Sequence, residues 1–175
     1  MPAIPPRTPS PEPWLRGTHS DVPPVARAVL HALELAHEDL DRWITPLSDA
    51  EVNARPADLA SVAFHLRHIA RSLDRLLTYA EGRPLSLEQI ALLKSELDAQ
   101  ATRQQLFDEL AKSLQISAAR VRALAGANSS EPRAVGNKQL PTTLGGLLVH
   151  VADHTQRHVG QAITTAKLVL ANRKK

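Results

Sequence analysis

Four stretches of this chain repeat apolar residues at intervals of three and four, a period that suits packed helices and not sheets. Val25, Val29, Leu33, Ala36, Leu40 and Ile44 mark the first; Val62, Leu66, Ile69, Leu73, Leu76, Leu77 and Ala80 mark the second. Leu106, Leu110, Leu114, Ala118, Val121 and Leu124 mark the third, and Leu144, Leu148, Val151, Val159, Ala162, Ile163 and Ala166 the fourth. Hydrophobic residues make up 43% of the chain but aromatics only 3%, a Leu- and Ala-rich balance that again favours helices. At 175 residues one domain with a proper core is the default. The expectation is an all-α fold built as a four-helix bundle.

Capping and breaking residues set the boundaries. Asp21 is a candidate N-cap with Pro23 and Pro24 in the first turn, and Pro46 ends that helix. Residues 47–59 form a polar connection, and the second helix runs from about Ser61 to Ala80 before Gly82 and Pro84. Residues 83–101 make a long connection with a short helical stretch, Leu87 to Lys94, which permits a crossover between parallel or non-adjacent helices 2 and 3. The third helix spans about Thr102 to Ala125. The polar loop from Gly126 to Pro141 is either a lid or a plain connection, and Pro141 opens a fourth helix that continues to Asn172. Gly145, Gly146 and Gly160 weaken that helix intrinsically, so close contacts or a ligand are expected at them.

Eight of the 13 prolines fall in the first 24 residues, too dense for a helix or a central strand. Residues 1–20 are therefore expected to be a proline-rich N-terminal tail, with Trp14 and Leu15 as candidate anchors, and residues 21–175 to form the bundle domain. The charge is +3, from 21 Lys and Arg against 18 Asp and Glu, an excess that the terminal Arg173, Lys174 and Lys175 match by themselves. No basic stripe with interleaved aromatics is present, so no nucleic-acid partner is expected. No apolar run reaches membrane-spanning length and the first residues lack the pattern of a signal peptide; a soluble cytoplasmic protein with no membrane partner is the simplest account.

Cysteine is absent, which leaves nitrogen and oxygen as metal ligands and excludes a thiol nucleophile. Histidine is where chemistry concentrates. In LLVHVADHTQRHVGQ, His150, His154 and His158 recur every fourth residue, and successive ones lie about 40° apart around a helix and about 6 Å along it. Two imidazoles so placed can reach one ion, although the HxxxH pattern alone is weak. On the second helix His65 and His68 compete as a third ligand; periodicity slightly favours His65, and the residues alone leave both open. Ser72, Arg75 and Tyr79 share a face with His68, as a site wall would. His31 and His37 read as ordinary surface or boundary residues.

The segments SVAFHLRHIARSLDRLLTYAEG and LGGLLVHVADHTQRHVGQAITTAKL resemble the DinB-like, or YfiT-like, metal-dependent superfamily, which is unrelated to the DNA polymerase sharing the DinB name. The resemblance covers about residues 22–172. It implies a four-helix bundle with a long crossover between helices 2 and 3, a homodimer, and a divalent transition metal, zinc or nickel, held by His68, His154 and His158. It further implies a thiol S-transferase or a hydrolase, in which a metal-activated thiol or water attacks an electrophilic small molecule. Arg75, Tyr79 and Gln161 are the candidate substrate-binding residues. The alternative is a non-catalytic, metal-stabilised bundle acting as a dimeric protein-interaction module.

Overall fold

The computed structural model describes residues 10–97 and 101–173. Four long helices carry the four apolar stripes: α1 (Pro24–Ile44), α3 (Val62–Ala80), α5 (Arg103–Leu124) and α6 (Leu144–Asn172). Between them lie two short helices, α2 (Asp49–Asn53) and α4 (Leu87–Lys94), and one hairpin, β1 (Pro132–Val135) with β2 (Leu140–Thr143). The stripes meet in a single core in which Leu40, Ile44, Leu66, Ile69, Leu73, Leu106, Leu110 and Leu144 are essentially sealed from solvent.

Hydrogen bonds between side chains and neighbouring helices fix the directions. Arg71 meets Glu109, Ser113 meets the carbonyl of Ala70, and Arg120 meets Asp74 and Glu81, so α3 and α5 run parallel. Gln156 meets the carbonyl of Ala32 and Arg173 that of Pro46, so α1 and α6 are parallel as well. Thr165 meets Ala60 while His154 meets His68, which makes α6 antiparallel to α3. Parallel neighbours joined in sequence require a return path. The chain from Ala80 supplies it: Gln89 bonds Asp74 and Thr78, Arg71 bonds Ser95, and Glu96 reaches His68 and Arg75, so α4 retraces α3 towards its start.

Local chemistry sets the helix ends. Ser61, Thr102 and Thr143 cap α3, α5 and α6 with their hydroxyls, and Ser48, Ser86 and Thr102 form reciprocal capping boxes with Glu51, Gln89 and Gln105. Asp21 does not cap the first helix. Pro23 occupies that position with no side-chain cap, because a proline ring carries no acceptor for the N–H groups of the first turn. The fourth helix begins at Leu144 and not at Pro141, since Pro141 to Thr143 pair as a strand with residues 132–134. The polar loop is therefore largely a hairpin, and the fold is all-α apart from it. Arg133 pins the hairpin by donating to the Ala80 carbonyl at 2.6 Å.

The N-terminal segment from residue 10 packs along α1, and its anchors are polar. Arg16 forks onto Glu38 at 2.5 and 2.8 Å, and His19 meets Glu34 at 2.6 Å. Trp14 and Leu15 are 61% and 57% exposed and anchor nothing, whereas Pro13 is buried. The start of the expected tail, residues 1–9, lies outside the described residues. No helix among the described residues is long and apolar enough to cross a membrane.

Candidate metal centre

The antiparallel seam between α3 and α6 brings four histidines together. His68 Nε2 stands 3.2 Å from His154 Nε2, and the ring centroids of His68, His154 and His158 lie 4.3–5.0 Å apart. One nitrogen from each of these three falls within 4.8 Å of the others. Two imidazole nitrogens bound about 2.0–2.1 Å from one tetrahedral ion stand about 3.3 Å apart, close to the His68–His154 spacing.

Each ring is also held from behind. His68 Nδ1 meets Glu96 Oε2 at 2.6 Å, and Glu96 Oε1 accepts from Arg75 Nη1 at 2.6 Å. His154 Nδ1 lies 3.4 Å from Ser72 Oγ, whose own proton is directed at the carbonyls of His68 and Ile69. His158 Nδ1 lies 3.1 Å from His65 Nδ1. With every Nδ1 engaged by an outer partner, the Nε2 atoms remain as the free donors of the group, an arrangement that orients imidazoles for a metal. Phe64 stacks on the His68 ring at 5.3 Å, covering one side.

The electrostatics agree with neutral imidazoles. Burial, ahead of repulsion from neighbouring histidines, lowers His65, His154 and His158 to about 4. Burial pushes the Glu96 carboxyl up, but hydrogen bonds from His68 and Arg75 outweigh it and leave its pKa below the ordinary value. Neutral nitrogen donors suit zinc, nickel, copper and iron alike, and with no thiolate available the donor set fits a borderline divalent ion. No described carboxylate joins the three histidines, and both oxygens of Glu96 are already engaged.

The structure assigns both competing histidines of α3 a place: His68 stands in the group of three and His65 backs His158. Arg75, 9% exposed, is engaged with Glu96 and lines a cavity between α3 and α5 with Arg71, Asp74 and Arg120. Tyr79 lies about 16 Å along α3 from His68 and lines a cavity beside the hairpin with Arg83 and Arg133. Gln161 is exposed beside His65 and Arg157. His150 flanks His154 at 5.5 Å between centroids. Glu96 had no signal in the sequence, because its position depends on the path of the crossover and not on any spacing.

A second group, His19, His31 and Glu34, also meets the distance criterion. His31 is buried and bonded to Thr18 at 3.0 Å, so it is a packed residue and not a surface one. Arg122 donates to His19 Nδ1 at 2.6 Å, which fixes the ring proton on Nε2, where it meets Glu34. That tautomer leaves His19 no free nitrogen for a metal, and the cluster reads as a latch for the N-terminal segment.

The DinB superfamily model matches residues 32–162, three quarters of the chain, with His65, His68, His154 and His158 inside the match. The chain belongs to the DinB superfamily. A crystal structure of a conserved protein from Enterococcus faecalis is similar to this DinB chain, with a TM-score of 0.68 and 25% identity, covering 84% of this chain and 98% of the other. No curated protein matches the sequence. The superfamily's bundle is thus established for this chain, and its histidine triad stands in a geometry able to hold a metal.

Proposed function

We propose that the chain is a metal-dependent enzyme of the thiol S-transferase or hydrolase type, with zinc or nickel held by His68, His154 and His158. The observation that carries this reading is the outer partner behind each ring: Glu96, Ser72 and His65 on three Nδ1 atoms. Surface histidines have no need of such backing, whereas ligands are oriented by it. Three protein ligands without a fourth leave a position for a small molecule, which favours catalysis over a closed structural site.

A divalent ion bound there lowers the pKa of a coordinated thiol or water and so supplies a nucleophile at neutral pH. The chain's own residues do the rest. Glu96 and Arg75 hold His68 in one tautomer, the low pKa values of His154 and His158 keep both rings neutral at neutral pH with one nitrogen of each free of a proton, and Phe64 covers one flank of His68.

The test is turnover of a zinc- or nickel-loaded preparation with a low-molecular-weight thiol and an epoxide, read as loss of free thiol, beside hydrolysis of an activated ester. Loss of either activity in His154→Ala is the expected result. A loaded protein no faster than that variant in both assays leaves the alternative, a metal-stabilised interaction module. The homodimer belongs to this proposal too, and sedimentation equilibrium reads it directly.

A further inference from the structure

His65 uses only one of its two ring nitrogens on the histidine group. The residue is 5% exposed and lines a cavity of about 520 Å³ between the approach to α3 and the outer face of α6. Its Nε2 has no hydrogen-bond partner among the described residues, and the ring lines that cavity. The tautomer follows from the other side. With His158 Nε2 serving a metal, as the proposed function requires, the proton shared across the 3.1 Å contact sits on His158 Nδ1; neutral His65 accepts it with Nδ1 and carries its own N–H at Nε2.

The cavity is mostly apolar, with Leu59, Ala60 and Gly160 among its walls, and its free polar groups are donors. Arg157 and Gln161 line it, and no carboxylate does. Arg157 spends one arm on Asp153 at 2.5 Å, and a guanidinium has five N–H groups. The hydroxyls of Thr164 and Thr165 are turned to backbone carbonyls, so the free donors are His65, Arg157 and Gln161. Gly160 leaves room beside them, since a Cβ there would meet nothing within 4 Å. A volume of this size matches a small-molecule site.

We propose that this cavity binds a small organic carboxylate, whose oxygens accept the His65 Nε2–H and the Arg157 guanidinium, and that His65 transmits its occupancy to the metal centre through His158. Both halves rest on the metal reading above, which places the His65 N–H at Nε2. A carboxylate accepting from Nε2 makes His65 Nδ1 a stronger acceptor, which in turn makes His158 Nε2 a better ligand. Carboxylate and metal therefore tighten each other by the same factor.

Benzoate and succinate, titrated into the zinc-loaded protein and followed by histidine-ring nitrogen NMR, test the cavity, with uncharged benzamide as control. A saturable shift of the His65 nitrogens by a carboxylate below about 10 mM, weakened about tenfold or more in Arg157→Gln, is the expected result. No saturable shift with either acid, or an equal response to benzamide, overturns it. Zinc titrations with and without benzoate test the coupling: zinc binds several-fold tighter with benzoate in the wild type and not in His65→Phe. Equal zinc affinity in both conditions overturns the coupling. A wild type that binds no zinc overturns the metal reading and both halves of the proposal with it.

Discussion

Glu96 sits 4% exposed at the end of the crossover, with one oxygen on His68 and the other on Arg75. Removing it leaves a buried Arg75 without its partner and His68 free to turn. Glu96→Ala is therefore expected to weaken metal affinity about 10–100-fold without removing any ligand, checked by competition with a chromogenic chelator. Unchanged affinity would show that Glu96 serves packing only. Protonation belongs to this scale as well. His65, His154 and His158 drop from an ordinary 6.5 to about 4, so between those values the unfolded chain binds more protons than the folded one. The metal-free protein is then fully stable above about pH 6.5 and loses stability as the pH falls through about 4. Calorimetric melting points measured across that window check this, and His154→Leu should flatten the decline. At this scale the sequence was legible in part. Four-residue spacing put His154 and His158 together, and the face of α3 put Ser72 and Arg75 near His68; the choice between His65 and His68 needed the α3–α6 register, which no single-helix period contains.

The elements themselves were largely readable, because capping residues and apolar periods are local properties. Ser61, Thr102 and the Leu87–Lys94 stretch fell where the chain indicated, while the hairpin was missed: its strands are short, Pro132 reads as a loop residue and Pro141 as the start of the fourth helix. The glycines of α6 divide along the same line. A Cβ on Gly145 would stand 3.0 Å from the Ser129 carbonyl, and one on Gly146 would stand 2.9 Å from Thr142 Oγ1, so both permit the turn and hairpin to close on the helix. Gly160 has no such neighbour. Gly145→Ala is expected to destabilise by about 1–3 kcal/mol despite better helix propensity, whereas Gly160→Ala should stabilise by about 0.5–1 kcal/mol. Urea unfolding of the two variants checks the contrast, and the same sign for both would contradict it.

At the scale of the whole molecule, parallel pairs α1–α6 and α3–α5 explain why the chain carries a long crossover: it returns to the start of α3 and on the way delivers Glu96 to the site. The length of residues 83–101 hinted at the crossover, but its contacts with α3 depend on tertiary packing. The single core binds these pieces together. Leu66, sealed on α3 between the histidines, anchors the seam, so Leu66→Ala is expected to cost about 2–5 kcal/mol in chemical denaturation and to weaken metal binding with it. All of this converges on whether the seam holds an ion. The most direct measurement is metal content by elemental mass spectrometry on untagged wild type, His68→Ala and His154→Ala, with circular dichroism to confirm that each is folded. The account predicts about one transition-metal ion per chain in the wild type and its loss in both folded variants. Equal metal in wild type and variants, or none in the wild type after reconstitution with zinc and nickel, would contradict it.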